Sequence, residues 1–455
     1  MKKSTAPNNF VFYRSQLWRY PRITHGSGIF LYDDTGKDYI DACSGSAVAN
    51  IGHGNEEVAE FAKEQIQRVA FTHLSRWTVD SIEKCAEKVA VWTPGDLNHV
   101  YFVSGGSEST ETGIKMARQY FVERDGIKSG KWKVISKWNS FHGNTLGALS
   151  MTGIVERRRI YEPMLIDFPK IPQFYHYRNP WGCDTLEETS IKCAEALEAE
   201  IRKQGPDTVA AFISEPVVGA AAPGVHPHPV YFQKVREICH KYDVLLILDE
   251  VMSGFGRTGE KFGIDHFGVV PDIMATAKGM SSGYTPIGAA VAGERIFNTI
   301  MVKGSGSFVH GHTYAGNPLS CGIAWKVLEI IEREGYLANC RRQGARLMEK
   351  LQKLYDYPIV GEIRGKGLMI GIELVKDQKT KAPFDPDVGL KNRITEIALD
   401  EGLVLYPGGG SVDGVRGDHL LLAPPLIITD EEVDLLYERL ERSIKKTIDS
   451  VANLK

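Results

Sequence analysis

The sequence predicts an α/β fold, in which a large domain with a mainly parallel β-sheet is accompanied by a smaller α+β domain. Between residues 100 and 290, short apolar runs alternate with stretches of helical spacing, a pattern typical of parallel sheets. Beyond residue 330, long helical patterns surround a few isolated strands. We therefore expect three segments: an N-terminal arm with part of the small domain at 1–70, the large domain at 71–330, and the rest of the small domain at 331–455.

The composition is that of an ordinary globular protein, with 43% hydrophobic and 24% charged residues. The formal net charge of −3 gives no basic surface for nucleic acid. The seven cysteines are odd in number and form no C-x-x-C pair, which favours a reducing compartment. No window approaches the roughly 18 apolar residues of a membrane span. We expect a cytoplasmic protein with neither nucleic-acid nor membrane partners.

The first elements precede the sheet. Apolar runs on both sides of the turn Asp34-Thr-Gly36 predict a hairpin over 29–41. The stretch 44–54 is small and rich in glycine, which indicates a loop. Apolar residues at helical spacing predict helices over 55–70 and 81–91.

The strands of the large sheet are predicted from short apolar runs at 100–103, 133–136, 209–214, 244–248, 273–277 and 287–291. Helices are expected near 108–122, 185–203 and 230–242. The intervening stretch 155–182 is rich in Pro, Tyr and Arg and is predicted to be irregular, as a wall of the site. The C-terminal part contains strand-like runs at 367–374 and 420–423, and helical patterns at 318–353 and 430–452.

Two of the predicted strands end in charged residues, Asp249 and Lys278. Ligands of open α/β sheets bind outside the carboxyl ends of the strands, so this acid and this amine can face one pocket. A desolvated amine has a lowered pKa and attacks carbonyl groups. An aspartate beside a pyridine nitrogen keeps that nitrogen protonated. The alternatives are a helix cap for Asp249 and a solvated Lys278.

Other strand ends carry further candidates. Gly106 and Ser107 lie in a glycine turn that opens a helix, where backbone N–H groups and a hydroxyl can hold a phosphate; turn geometry alone is the alternative. Phe141 can lie flat on a planar ring or belong to the core. Glu215 is expected to be buried, where it contacts a polar ligand or joins a structural ion pair. His310 and His312 lack an acid or cysteine at ligand spacing, so no metal site is predicted.

In this order, the motifs resemble those of class III aminotransferases, pyridoxal-phosphate enzymes of fold type I. The resemblance covers about residues 25–445. The matching segments are Ser104-Gly-Gly-Ser-Glu108, Phe141-His-Gly143, Ser214-Glu-Pro216, 248–259, 271–279, 311–318, 364–373 and Ala423-Pro-Pro-Leu426.

The resemblance implies a role for each matched residue. Lys278 would hold pyridoxal 5'-phosphate as a Schiff base and move protons, and Asp249 would pair with the pyridine nitrogen. Thr313 would reach the phosphate in the neighbouring subunit, which implies a homodimer or a dimer of dimers. The remaining cofactor contacts would be the phosphate-binding Gly106 and Ser107, the ring-stacking Phe141, and His142 and Glu215 beside the ring.

For the substrate, the chain resembles the ω-amino acid/amine:pyruvate branch, which implies ping-pong transfer of an amino group from an amine or ω-amino acid to a keto acid such as pyruvate. The ornithine-type branch has an arginine where Leu421 stands. Arg416 is the candidate for a mobile carboxylate-binding arginine, although it stands closer to Pro424 than in those relatives, and a solvated loop arginine is the alternative. Ala47 replaces a large aromatic residue, which predicts room for a bulkier donor.

The sequence also allows alternatives to amino transfer. An aminomutase, a racemase or a decarboxylating transaminase could use the same cofactor site. A catalytically silent binding subunit is an alternative of another class, against which the intact Lys278, Asp249 and Thr313 argue. A nucleotide site is disfavoured, because neither G-x-G-x-x-G nor G-x-x-x-x-G-K-[ST] occurs at the Gly-Gly-Ser turn.

Overall fold

The computed structural model describes residues 10–15 and 18–452, so part of the predicted N-terminal arm lies outside the described residues. In chain order the strands are β1 Ile23–Ser27, β2 Phe30–Asp33, β3 Asp38–Asp41, β4 Leu97–Val103, β5 Lys133–Lys137, β6 Lys170–Ile171, β7 Val209–Ser214, β8 Leu245–Asp249, β9 Ile273–Ala277, β10 Gly288–Gly293, β11 Val360–Lys366, β12 Met369–Leu374, β13 Leu403–Val404, β14 Tyr406–Gly409 and β15 Asp418–Leu422. The main helices are Glu56–Arg68, Asp80–Trp92, Gly106–Asp125, Leu146–Met151, Leu186–Gln204, Val230–Lys241, Pro318–Arg333, Tyr336–Leu351, Leu390–Asp400 and Asp430–Ala452.

The large sheet has the strand order β4-β10-β9-β8-β7-β5-β6. Strand β10 runs antiparallel to β4 and β9, whereas the pairs from β9 through to β6 are parallel. Every residue of β7, β8 and β9 is buried, as expected for parallel strands covered on both faces. The predicted α/β fold with a mainly parallel sheet is confirmed.

Helices cover both faces of this sheet. On one face, Phe121 of the helix Gly106–Asp125 packs with Ile247 and Ile273. On the other face, Leu197 and Phe232 of the helices Leu186–Gln204 and Val230–Lys241 pack with Phe212, Leu246 and Met274. Because apolar residues line both faces, the polar residues that follow the strands lie at the carboxyl ends of the strands.

A second core joins residues from both ends of the chain. Ile29, in the turn between β1 and β2, and Ile40 of β3 pack with Leu374 and with Leu436 of the C-terminal helix. Strand β13 pairs in parallel with β3, and β11-β12-β15-β14 form a separate antiparallel sheet. The domain boundaries at 70 and 330 remain predictions.

The structure contains elements that the sequence patterns missed. Strand β14 reads Tyr-Pro-Gly-Gly, and β11 carries charged residues, so neither shows a strand-like apolar pattern. The helix Leu390–Asp400 was also missed. The segment 155–182 is largely irregular as predicted, but it includes β6, which pairs with β5 at the edge of the large sheet. Among the described residues, no helix is long and apolar enough to cross a membrane.

Candidate active site

Asp249 ends β8 and Lys278 directly follows β9, so both residues lie at the carboxyl ends of central strands of the large sheet. Their strands are neighbours, with Asp249 paired to Ala275, three residues before Lys278. Burial lowers the pKa of Lys278 to about 8, and the charges of Asp249 and Glu215 partly oppose this shift. The amine therefore lies within electrostatic range of both carboxylates, and a substantial fraction of it is neutral near physiological pH.

The backbone at Lys278 is held in an unusual conformation. Lys278 has a φ of +49°, a left-handed value that costs a non-glycine residue about 1–3 kcal/mol. Its Nζ donates a hydrogen bond to the Ser46 carbonyl at 3.0 Å. The next residue must be glycine, because a Cβ at Gly279 would lie 2.3 Å from Nδ2 of Asn50. The left-handed turn and the Ser46 carbonyl thus fix where the amine points.

Asp249 is 4% exposed and is held by two donors. One carboxylate oxygen lies 2.8 Å from Nδ1 of His142, and the other accepts the Val251 N–H at 3.0 Å. His142 is itself buried, and its backbone N–H donates to the hydroxyl of Thr152 at 2.9 Å. Its Nε2 has no hydrogen-bond partner among the described residues.

Glu215 is buried and accepts two backbone hydrogen bonds, from Phe141 at 3.1 Å and from Gly219 at 3.0 Å. Burial raises its pKa, His142 opposes the shift and Asp249 adds to it. No cation lies within salt-bridge distance of Glu215 among the described side chains. The side chain therefore faces the site without a charged partner.

Gly106 and Ser107 form a narrow cradle at the start of a helix. The first N–H groups of a helix have no intrahelical acceptor, so they can bind an anion. The Ser107 Oγ accepts the Asn144 N–H at 3.0 Å. A Cβ at Gly106 would lie 2.8 Å from a methyl group of Val251, and one at Gly143 would lie 2.5 Å from the Ser107 Oγ. A side chain at Gly106 or Gly143 would therefore fill the space beside this turn.

The sequence analysis missed several residues of the site. Ser46 and Thr152 contribute a carbonyl and a hydroxyl that no local motif signals. Arg157 places its guanidinium carbon 4.4 Å from the centre of the half-buried Phe141 ring. It also donates from Nη2 to the hydroxyl of Tyr406 at 3.3 Å. The run of arginines at 157–159 in the predicted wall segment was the available signal.

The predicted substrate residues occupy different surroundings. Ala47 is 2% exposed, has a φ of +57°, and belongs to an apolar cluster that includes Val217, Ala220 and Met252. Arg416 is on an exposed loop, where its Nε pairs with Asp413 at 2.7 Å and its side chain is 53% exposed.

Thr313 is exposed, and its side chain has no hydrogen-bond partner within the described part of its own chain. Nearby, His310 contacts the Thr112 hydroxyl and the Lys115 amine, each at 2.9 Å. Within residues 10–15 and 18–452, no group of three or more His, Cys, Asp or Glu side chains could hold a metal ion.

Together these residues fit a small planar cofactor with an aldehyde, a pyridine nitrogen and a phosphate. Lys278 supplies a desolvated amine for the aldehyde, and Asp249 supplies a buried carboxylate for a protonated ring nitrogen. The helix start at Gly106 suits a phosphate, and Phe141 presents a ring face.

Comparison with known proteins identifies the family. The model of the aminotransferase class-III family matches residues 15–444. The chain is 39% identical to the uncharacterized aminotransferase YodT of Bacillus subtilis, over 94% of this chain and 97% of that protein. It is 36% identical to a diaminobutyrate–2-oxoglutarate transaminase of Halomonas elongata and 35% identical to a putrescine–pyruvate aminotransferase of Pseudomonas aeruginosa, in each case over 94% of this chain and 91% of the relative.

Solved structures of similar fold indicate the same family. An (S)-enantioselective omega-transaminase from Thermomicrobium roseum superimposes with a TM-score of 0.88 at 36% identity, over 94% of this chain and 93% of that one. An omega transaminase from Pseudomonas jessenii in complex with PMP gives a TM-score of 0.89 at 34% identity, over 96% and 94%. The chain therefore belongs to the class-III aminotransferases, enzymes of fold type I that use pyridoxal 5'-phosphate.

Proposed function

We propose that this enzyme transfers an amino group from an amine or ω-amino acid to a keto acid, with pyruvate as the acceptor, by a ping-pong mechanism. The observation that carries the proposal is the desolvated Lys278 amine within range of Asp249 and Glu215. The relative from Pseudomonas aeruginosa, a putrescine–pyruvate enzyme, supports pyruvate, whereas the relative from Halomonas elongata uses 2-oxoglutarate.

In this proposal each residue has a physical task. Pyridoxal phosphate supplies an electron sink and carries the amino group between the two substrates. Lys278 holds the cofactor covalently and moves protons through Nζ, which its lowered pKa allows near neutral pH. Asp249, oriented by His142, keeps the ring nitrogen protonated. Glu215 would lie beside the ring.

The cofactor would be held at two further points. The N–H groups and hydroxyl at Gly106 and Ser107 bind the phosphate, because the helix start offers unpaired donors. Phe141 would stack on the ring and hold its plane. Both contacts keep the reacting carbon near Lys278 without taking part in proton transfer.

The donor side of the pocket would accept large apolar groups. Ala47 lies in a cluster with Val217, Ala220, Met252 and Leu421, whose side chains are small or aliphatic. A large aromatic residue at Ala47 would fill part of that space. We therefore propose a bulkier donor than a short ω-amino acid.

A second copy of the chain would complete the site. Thr313 is exposed, and its neighbourhood includes the exposed Val309 and Tyr314, at 77% and 63% exposure. Exposed apolar residues grouped in one segment are typical of protein interfaces. We propose a homodimer or a dimer of dimers, in which Thr313 binds the phosphate in the partner's site.

Mixing two variants tests this assembly. Lys278→Ala lacks the amine, and Thr313→Ala lacks the hydroxyl. If Thr313 acts across the interface, a refolded mixture contains dimers with one intact site, and activity exceeds that of either variant alone. Activity equal to the mean of the two unmixed variants would contradict the shared site.

Cytoplasmic location is part of the proposal. It is supported by the seven cysteines, all of which are free and six of which are buried. Immunodetection of the protein in fractionated cells would test it, and recovery in a secreted fraction would contradict it.

A screen tests the reaction itself. Amine and amino acid donors are each combined with pyruvate and 2-oxoglutarate, and the aminated products are quantified. Product that depends on an added acceptor supports amino transfer. Rearranged or inverted donor without an acceptor would favour an aminomutase or racemase, and released carbon dioxide a decarboxylating transaminase. A protein that binds cofactor but yields no product with any pair would favour a silent binding subunit.

A further inference from the structure

Three consecutive arginines in the wall of the site have different surroundings. Arg158 is buried, donates to three backbone carbonyls at 2.9–3.1 Å and pairs with Glu162 at 2.9 Å, so it has a structural role. Arg159 is exposed. Arg157 is half-buried and turns toward the candidate active site.

Arg157 lies in the site without a carboxylate partner. Its guanidinium carbon is 4.4 Å from the centre of the Phe141 ring, and Nη2 donates to the Tyr406 hydroxyl at 3.3 Å. Among the described residues, no Asp or Glu oxygen forms a salt bridge with it. Only Nη2 has a hydrogen-bond acceptor, and no Arg157 nitrogen is both buried and unpartnered among the described residues, so the other N–H donors stay accessible to an incoming carboxylate.

One wall of the site beside Arg157 is apolar. Phe141 and Tyr406 both pack against the cluster formed by Ala47, Val217, Ala220, Met252, Met369, Leu421 and Ala423. A carboxylate entering such a pocket loses its water, so it needs a cation with correctly oriented donors. A planar guanidinium can meet a carboxylate with two parallel hydrogen bonds.

The reactive amine is close enough to be influenced by Arg157. Burial is the largest cause of the lowered pKa of Lys278, and the charge of Arg157 lowers that pKa further. The surroundings of Arg416 differ from those of Arg157, because Arg416 is exposed and already paired with Asp413 at 2.7 Å. To bind a substrate, Arg416 would have to leave that partner, whereas Arg157 has none to leave.

From this geometry we infer that Arg157 binds the carboxylate of the keto acid acceptor, and of any donor that carries one. The inference rests on the proposed amino transfer and adds the residue that recognises the acid group. A neutral amine would be accepted at the same place by contact with Phe141 and the apolar cluster. Arg157 would then determine specificity without taking part in proton transfer.

The experiment compares Arg157→Gln and Arg157→Lys with wild type, and uses Arg159→Gln as the matched exposed control. Acceptor half-reactions are followed by cofactor absorbance with pyruvate and with butanal, which lacks a carboxylate. Arg157→Gln should lower the pyruvate-to-butanal ratio of kcat/KM by about 10–150-fold, the loss expected for a charge-assisted pair. Arg157→Lys should recover part of the ratio, and Arg159→Gln should leave it unchanged.

A binding measurement separates this inference from the reaction. Propionate, a non-reacting monocarboxylate, is titrated calorimetrically into the cofactor-loaded protein, and Arg157→Gln should weaken its binding at least tenfold. An unchanged ratio with unchanged propionate binding would overturn the inference, as would a parallel loss with pyruvate and butanal. A selective pyruvate loss in Arg416→Gln alone would also overturn it. If wild type transfers no amino group to any acceptor, the proposed function fails, and the propionate titration still decides the role of Arg157.

Discussion

Two buried polar clusters in this enzyme are arranged in opposite ways. In the first, the fully buried Glu373 accepts hydrogen bonds from Tyr175, Arg178, Ser411 and Arg364, at 2.7, 2.8, 2.7 and 3.2 Å. Burial alone would raise the pKa of Glu373, but the cations around it outweigh burial and lower it to about 2. Every acceptor site of this carboxylate is used by the protein itself.

The second cluster, made of Lys278, Asp249, Glu215 and His142, is only partly satisfied. Glu215 accepts two backbone donors and has a raised pKa because burial dominates. Lys278 has one carbonyl acceptor, and His142 Nε2 has none among the described residues. Comparable burial therefore gives a structural ion cluster where the central carboxylate has all its partners, and a reactive site where Lys278, Glu215 and His142 have few.

The largest expected effect is the loss of catalysis in Lys278→Ala. Turnover should fall by a factor on the order of 10⁴ or more, because the covalent anchor and the proton carrier are removed together. Lys137→Met is a matched control, since Lys137 is also fully buried with a pKa lowered to about 7, mainly by burial. That variant should keep activity within about tenfold. Steady-state rates and the absorbance of the bound cofactor measure both, and an active Lys278→Ala would refute the assignment.

Glu373→Gln should destabilise the fold by about 3–5 kcal/mol, because Arg178 and Arg364 would remain buried without their shared partner. Glu215→Gln should destabilise the fold less, by about 1–2 kcal/mol, since the neutral amide avoids burying a charge but its NH2 group cannot accept the second backbone N–H. Urea unfolding of both variants measures the difference. Equal destabilisation by the two substitutions would contradict the contrast between the clusters.

The same contrast predicts the dependence of stability on acid. Because the pKa of Glu373 is lowered in the folded state from 4.5 to about 2, its stabilisation is complete above pH 4.5. It is lost as the pH falls from 4.5 toward 2, when the unfolded state takes up the proton first. The difference in unfolding free energy between wild type and Glu373→Gln should therefore shrink over this range. A constant difference would show that Glu373 is not ionised in the fold.

Capture of the cofactor should also increase with pH, but over a higher range. The pKa of Lys278 is lowered to about 8, and only the neutral amine attacks an aldehyde. The rate at which cofactor-free protein takes up pyridoxal phosphate covalently should rise with pH, reach half of its maximum near pH 8, and level off about one pH unit above that. Stopped-flow absorbance would measure this profile. A midpoint near pH 10 would contradict the desolvated lysine.

The smallest effect concerns donor size. Ala47→Trp should lower kcat/KM for bulky donors by about tenfold while short amines change little, since the added ring fills the pocket. Because Ala47 has a φ of +57°, a large residue there is also strained, and Ala47→Gly removes that strain and adds space. The size of the largest accepted donor should therefore decrease from Ala47→Gly through wild type to Ala47→Trp. An unchanged donor profile would contradict the role of Ala47.

Much of the fold followed from local patterns. The fully apolar strands β7 to β9 were predicted almost to the residue, because buried parallel strands are continuous apolar runs. Strand β14 and the helix Leu390–Asp400 were not, since glycine-rich or weakly patterned segments owe their structure to packing. The motif resemblance predicted the family and the cofactor, both of which are confirmed.

By itself, the sequence determined that an acid and an amine stand at the ends of two apolar strands, because each strand end is encoded by a short contiguous run. Only the tertiary structure decided what surrounds them. The Ser46 carbonyl meets Lys278 across more than two hundred residues, and Arg157 meets Tyr406 over a similar separation. Such contacts depend on how distant segments pack, which no local pattern records. Burial and missing partners, which set the pKa of Lys278, are likewise properties of the packed chain.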